Sequence, residues 1–416
     1  MKRELVFMIV SMVAVRMFAQ LSLTDCYQMA HDNYPTIKQY GLIAQSRDYD
    51  VSNASKGYWP RIKVGASADA FTDLLRLPPT LQAIAGGEMK NRLLAADVQV
   101  NQLIYDGGGI AAGKRVVRAR AEAESSAADV TLYDIRARVE QLFFGVLMLD
   151  AQIRRSKLLQ DDLALGRKTV DGMLKGGVAN QSDIDAVAVE QVKAEQRESG
   201  LRASRRAYLT MLGLFIGREL SDTTVLERPT ETTEPTVMIV QRPELTAFAA
   251  RQRLIDAQRQ SLHTQFRPKL AAFGLAAYHS RMMHLMKNQL FAAGLTLSWD
   301  IAPFYTRRND LRKLSVQQQQ VDIDRETFLF NLGLQSASVN GTIQNLREMI
   351  AQDTRIIALR ERIREKSMRR VQNGTETINE MLRDVNAVNE AQQQKDIHEI
   401  QLLEEIYKLK HIYNHE

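Results

Sequence analysis

The stretch Phe291-Ala292-Ala293-Gly294-Leu295-Thr296-Leu297-Ser298-Trp299-Asp300-Ile301 decides the fold class. Phe291, Ala293, Leu295, Leu297, Trp299 and Ile301 alternate with Ala292, Gly294, Thr296, Ser298 and Asp300. A period of two, apolar on one face and small or polar on the other, predicts a strand. Two more runs share the pattern. Ile62, Val64, Ala66, Ala68 and Ala70 alternate with Lys63, Gly65, Ser67 and Asp69, and Leu94, Ala96, Val98 and Val100 with Ala95, Asp97, Gln99 and Asn101. The run Leu270 to His279 is apolar on both faces. Four strands are expected, at about 61–73, 92–105, 269–280 and 291–304.

Outward from the strands, the same signals occur twice. Asn33-Tyr34-Pro35 faces Gln241-Arg242-Pro243, and Trp59-Pro60-Arg61 faces Arg267-Pro268-Lys269 at the same offset. Tyr105 faces Tyr305, and Gly177 with Asp183 faces Gly374 with Glu380. An internal repeat of this length means duplicated architecture. The copies span residues 20–217 and 241–416, joined by a linker at 218–240 that is rich in Pro, Thr and Glu near Arg228 to Pro235. Each opens with a helix, Asn33 to Lys56 and Arg242 to Gln265. Pro60 and Pro268 close these helices, because a residue before proline avoids the helical region.

Long helices follow each strand pair. Leu132, Ile135, Val139, Leu142, Val146, Leu149 and Ile153 are spaced three and four apart, and Val339, Ile343, Leu346 and Ile350 keep the rhythm. That is a heptad seam, which predicts coiled-coil pairing. No proline interrupts Ile110 to Lys175, a helix about 100 Å long at 1.5 Å per residue. Gly176-Gly177 breaks it before a returning helix from Ser182 to Leu214. Asn373-Gly374 makes the matching break before Thr377 to Ile412.

The chain has 416 residues, 45% hydrophobic, 25% charged and 6% aromatic, which suits long helices. Lys2 and Arg3 precede an apolar run from Leu5 to Val15, and Ala19 is a fitting cleavage position, so residues 1–19 read as a secretory signal. The formal charge of +6 falls to about +4 without that segment, and basic and acidic residues interleave. Nucleic-acid binding is therefore disfavoured. The single cysteine, Cys26, allows no intrachain disulfide. Asp25 before it argues against lipidation, and a buried place in the first helix is expected.

Strands with an apolar outer and a polar inner face describe a barrel wall in lipid. Open edges are not tolerated in hydrocarbon, so such a barrel must close. Membrane barrels start at about eight strands, so four per chain demand an oligomer. Two copies would give eight strands and three would give twelve, and the residues do not choose. The amphipathic, charged helices must project into water. A barrel continued by a hollow helical bundle is a conduit.

This order of signals resembles the TolC family of outer-membrane efflux and type I secretion proteins, over about Leu21 to Leu409. The resemblance is carried by Leu23-x-x-Cys26-x-x-x-Ala30-x-x-Asn33 with Pro35, by Trp59-Pro60-Arg61, by Tyr105-Asp106-Gly107-Gly108 and by Gly177 with Ser182-Asp183. In the second copy it is carried by Arg242-Pro243-Glu244-Leu245, Arg267-Pro268-Lys269-Leu270, Gly294-Leu295-x-Leu297-Ser298-Trp299 and Gly374. It implies a homotrimer with a twelve-stranded barrel in outer-membrane lipid and a periplasmic helical tunnel. It also implies a periplasmic adaptor, an inner-membrane transporter, no cofactor and no catalysis. The tip turns Gly176, Gly177, Asn373 and Gly374 would dock the adaptor. Acidic residues beside the tips would form the constriction, which points to Glu380, Asp384 and Asp183. Where the family carries its second acid, this sequence has Arg383, with Asp384 adjacent.

Other candidates are weaker. Met282, Met283 and Met286 with His279 and His284 offer soft ligands suited to copper, but the segment reads as a loop between strands. Gly107-Gly108-Gly109 lacks the lysine and spacing of a P-loop. His398, His411 and His415 are dispersed, and Gln317 to Gln320 reads as a solvated helix face. No Ser-His-Asp or Cys-His constellation is present to argue an enzyme. The alternative is a periplasmic coiled-coil adaptor or scaffold without a channel.

Overall fold

The computed structural model describes residues 20–70, 92–230, 239–280 and 288–414. The expected signal segment lies outside them. The described elements are α1 (Leu23–Asn33), α2 (Ile37–Ser55), β1 (Arg61–Ala70), β2 (Arg92–Tyr105), α3 (Gly109–Lys175) and α4 (Gln181–Ile216). The second copy supplies α5 (Pro243–Thr264), β3 (Lys269–His279), β4 (Gln289–Ser298), α6 (Pro303–Gln372) and α7 (Ile378–Tyr413). No described helix is long and apolar enough to cross a membrane.

Two expectations shift. The helix expected from Asn33 starts at Ile37, and a separate helix, Leu23–Asn33, precedes it, because Tyr34 stands before Pro35 and is held extended at φ −66°, ψ 133°. The fourth strand stops at Ser298 rather than near residue 304. The Trp299 indole donates to the Phe266 carbonyl at 3.2 Å, and Asp300 Oδ1 accepts from the Ala302 amide at 3.0 Å. Pro303 then starts α6, its fixed φ and missing N–H suiting a first helical turn.

The chain forms two compact units, each drawing on both copies of the repeat. The strand unit comprises Gln39–Ala127 and Thr246–Arg325. Its sheet runs β1-β2-β3-β4, antiparallel throughout. The registers Ile62↔Val100, Val98↔Ala276 and Ala276↔Phe291 align the alternating residues on one face. That face is uncovered: Val64 is 79% exposed, Phe291 76% and Leu295 70%. Opposite it, Lys63, Gln99, Asp97 and Asn101 make β1 and β2 polar, and the Asp97 carboxylate lies over Gly65, where a Cβ would come within 2.6 Å of Oδ1. Among the described residues β1 pairs only with β2 and β4 only with β3, which leaves two open edges.

Between β2 and α3, Asp106 is 4% exposed and accepts from the Gly108 amide at 2.9 Å, the Tyr58 hydroxyl at 3.1 Å and the Ile110 amide. Burial opposes its charge, but the Ile110 and Gly108 amides and the Tyr58 hydroxyl outweigh it and hold its pKa below the usual carboxylate value. The glycine run is thus an Asp-capped joint. The Gly108 and Ile110 amides that a phosphate cradle would use are taken.

The helical unit comprises Met1–Lys38, Ala128–Leu245 and Glu326–Glu416. The α3 seam is buried at Leu132, Ile135, Val139, Val146 and Ile153. Phe143, Phe144 and Leu147 are buried too, so this stretch meets neighbours on more than the seam face. On α6, Val339, Ile343 and Leu346 pack with Leu402, Ile406 and Leu409 of α7. Cys26 is fully buried on α1, and burial with Asp25 pushes its thiol up to about 12. The linker begins as structure, not slack. Leu21 pairs with Leu226, and the buried Arg205 guanidinium donates to Asp150 (2.6 Å) and to the carbonyls of Asp222 and Thr224.

A titratable cluster lies inside this unit. The Tyr27 hydroxyl donates to Glu140 Oε1 at 2.6 Å, and His411 Nδ1 stands 3.7 Å from the same oxygen. The His411 ring stacks on Tyr133, whose other neighbours include the Arg242 guanidinium 4.5 Å from its ring centre. Burial, above all, raises Glu140 to about 7. Burial, then Arg242 and Arg136, push His411 down to about 3.

Candidate functional site

Both helical hairpins of the second unit turn in the same way. At the α3–α4 tip, Val178 N donates to Met173 O (2.9 Å) and Gly177 N to Leu174 O (3.0 Å), with Gly177 at φ 75°. At the α6–α7 tip, Thr375 N donates to Arg370 O (2.9 Å) and Gly374 N to Val371 O (3.0 Å), with Gly374 at φ 71°. These are Schellman turns, which need a left-handed residue one position past the cap, and glycine adopts that conformation without a Cβ penalty. Gly176 and Asn373 occupy the preceding cap positions.

The returning helices start alike. Asn180 caps α4, with Asn180 Oδ1 accepting from the Asp183 amide at 3.1 Å and Asp183 Oδ2 accepting from the Asn180 amide at 2.9 Å. Thr377 caps α7, with Oγ1 accepting from the Glu380 amide at 3.3 Å. Glu380 Oε2 accepts in return from the Thr377 amide at 3.0 Å and hydroxyl at 2.9 Å. Both are reciprocal capping boxes. Asp183 and Glu380 are therefore structural first-turn acids, each tied to its own cap. The Thr377 amide and hydroxyl bonds, then Arg383, hold Glu380 below its ordinary value, so it stays an anion under mildly acidic conditions. Asp384 is half-buried one turn on.

Beneath the turns the two hairpins share one core, in which Leu163, Val170 and Val187 meet Val371, Met381 and Leu382. Polar bridges join them. Arg155 on α3 grips Asp396 on α7 through Nε (2.6 Å) and Nη2 (3.1 Å), and its Nη1 donates to Gln392 at 3.1 Å. Asn386 Nδ2 donates to Glu190 Oε2 at 3.0 Å, and Lys193 pairs with the same carboxylate at 2.8 Å. Glu190, Arg383 and Glu390 line a groove of about 470 Å³ between α4 and α7. Sequence reasoning missed Arg155, Asp396, Glu190 and Asn386. The partners stand 241 and 196 residues apart, and no local spacing couples them.

Of the candidate copper ligands only His279 is described, at the end of β3, where its Nδ1 lies 3.3 Å from the Ser280 carbonyl. His284, Met282, Met283 and Met286 lie outside the described residues. Among the described residues no three His, Cys, Asp or Glu side chains come together as a metal site.

No family model and no curated protein sequence matches the chain. Solved structures do. The chain is similar to the outer-membrane channel OprN, with a TM-score of 0.71 at 13% identity over 95% of this chain and 90% of that one. It is similar to CusC, described in terms of folding and transmembrane channel formation, with a TM-score of 0.72 at 13% identity over 96% and 93%. It is similar to the outer membrane protein VceC of Vibrio cholerae, with a TM-score of 0.66 at 14% identity over 94% of each chain. The chain thus has the fold of these outer-membrane channels over nearly its whole described length. The long helical hairpins and the four-stranded sheet expected from the TolC-family resemblance are observed.

Proposed function

We propose that this chain is one protomer of a passive outer-membrane exit channel serving an efflux or secretion machine. One observation carries the reading: a four-stranded sheet with an uncovered apolar face and two open edges. Burying that face in water-soluble form needs a partner, whereas lipid covers it directly. The edges then require strands from other copies. Three copies give the twelve strands that the family resemblance implies. The helical hairpins would line an aqueous tunnel. An adaptor would dock at Gly176, Gly177, Asn373 and Gly374, and an inner-membrane transporter would supply the energy. Extraction from membranes should require detergent. The purified species should have the mass of a trimer and conduct ions in planar bilayers. A chain that stays soluble and monomeric without detergent would be a scaffold, not a channel.

In this reading Glu380, Asp384 and Asp183 line the closed tip and select cations. The anionic Glu380 supports the assignment, and its capping duty makes the test clean. Glu380→Gln keeps a side-chain acceptor for Thr377 and removes only charge. Combined with Asp384→Asn, it should lower both the cation selectivity and the cation conductance of the closed state, because fewer fixed negative charges hold cations at the tip. Unchanged values would remove these residues from the gate.

A further inference from the structure

A cavity of about 160 Å³ lies below the tips, between α3 of the first hairpin and α6 and α7 of the second. Its walls include Leu163, Val170, Met173, Met368, Met381 and Leu382. Two charged residues join them. Arg364 lines the cavity, and its Nε–H is buried with no hydrogen-bond partner among the described residues. Its Nη1 reaches Asp162 Oδ2 only at 3.9 Å, and the Asp162 side chain is 55% exposed. A cavity of about this volume, apolar over most of its wall, has room for a benzene-sized ring. A buried donor without an acceptor is costly, and a ligand that supplies the acceptor relieves that cost.

We propose that this cavity is a binding site for small aromatic carboxylates of the benzoate class. The ring occupies the apolar pocket, and the carboxylate accepts from Arg364. A carboxylate fits better than a neutral acceptor, because it also complements the guanidinium's charge and matches its planar fork of donors. Asp162 competes weakly, being distant and solvated. Three methionines in the wall add flexible packing and sulfur–ring contacts. The bound ring touches both hairpins, so occupancy favours their apposition.

The experiment uses the full chain in detergent with 4-fluorobenzoate as probe, followed by fluorine NMR and calorimetry. Binding should saturate at one ligand per chain. Arg364→Met should weaken it at least tenfold while keeping the apolar wall. Gly166→Leu should also weaken it at least tenfold by filling space. Gly166 lines the cavity, and a Cβ there meets no heavy atom within 4 Å, so the fold tolerates the change. Absence of saturable binding, or binding that survives Gly166→Leu, overturns the site. Unchanged affinity in Arg364→Met overturns the carboxylate. Binding is read without any conductance measurement, so its outcome stands apart from that of the channel reading.

Discussion

Arg155 and Asp396 are 241 residues apart in sequence, yet their side chains meet in a two-pronged ion pair at 2.6 and 3.1 Å. Arg155 belongs to the first hairpin and Asp396 to the second. Both are about one-quarter exposed, at 25% and 23%, so water screens the pair only in part. A planar guanidinium matches a carboxylate with two parallel bonds, which fixes geometry as well as energy. Asp396→Ala should cost about 1.5–2 kcal/mol of stability, at the low end of the range for hydrogen bonds to charged groups because the pair is partly solvated. In the proposed channel it should also raise the fraction of time spent open. Unaltered single-channel records would mean that the pair does not hold the hairpins closed.

Glu140 sets an opposing pair of pH trends. Its pKa is raised from 4.5 to about 7, so the folded state holds its proton longer than the unfolded one. Stability from this group is full below about 4.5 and is lost as pH rises to 7. His411 is lowered from 6.5 to about 3, so its contribution is lost as pH falls below 6.5. Glu140→Gln preserves an acceptor for Tyr27 and removes the first trend. The variant should be more stable at pH 8, by on the order of 2 kcal/mol. Below pH 6.5 it should lose stability more steeply than the parent. Denaturation midpoints measured from pH 5 to 8 check both signs.

The exposed face of the sheet should reject charge in lipid. Leu295, 70% exposed on β4, lies opposite Ala272 on the apolar face. Leu295→Arg should cost about 2–4 kcal/mol if it sits near the bilayer midplane. Gln99→Lys, on the polar face, should change folding into liposomes by less than about 0.5 kcal/mol. A larger cost for Gln99→Lys than for Leu295→Arg would place the faces the wrong way round.

Asn33 and Gly217 form a tight joint at the end of α4. Asn33 Nδ2 donates to the carbonyls of Leu214 (3.1 Å) and Phe215 (3.0 Å). Gly217 is left-handed at φ 68°, and an added Cβ would stand 2.5 Å from Asn33 Oδ1. Gly217→Ala therefore combines backbone strain with displacement of the cap, at about 2 kcal/mol. Asn33→Ala alone should cost about 1 kcal/mol, and the double variant less than the sum, because the collision is gone. Strict additivity in urea denaturation would refute the coupling.

Much of this protein is written locally. The alternation from Phe291 to Leu297 sets one strand face, and heptad spacing on α3 and α6 sets the buried seams. Asn180-x-x-Asp183 and Thr377-x-x-Glu380 mark helix starts, and Gly177 and Gly374 mark helix ends. These features follow from backbone geometry within a few residues, so sequence alone determines them. It also determines that the strands are too few to close a barrel. Only the tertiary structure decides that β2 of one copy pairs with β3 of the other, joining the repeats in one sheet. It alone stops the fourth strand at Ser298, where Trp299 finds the Phe266 carbonyl. It alone brings Arg155 to Asp396 and buries Glu140 against Tyr27. Such contacts join segments far apart in the chain. They depend on how whole elements pack, and no residue's local conformational preference encodes its distant partner.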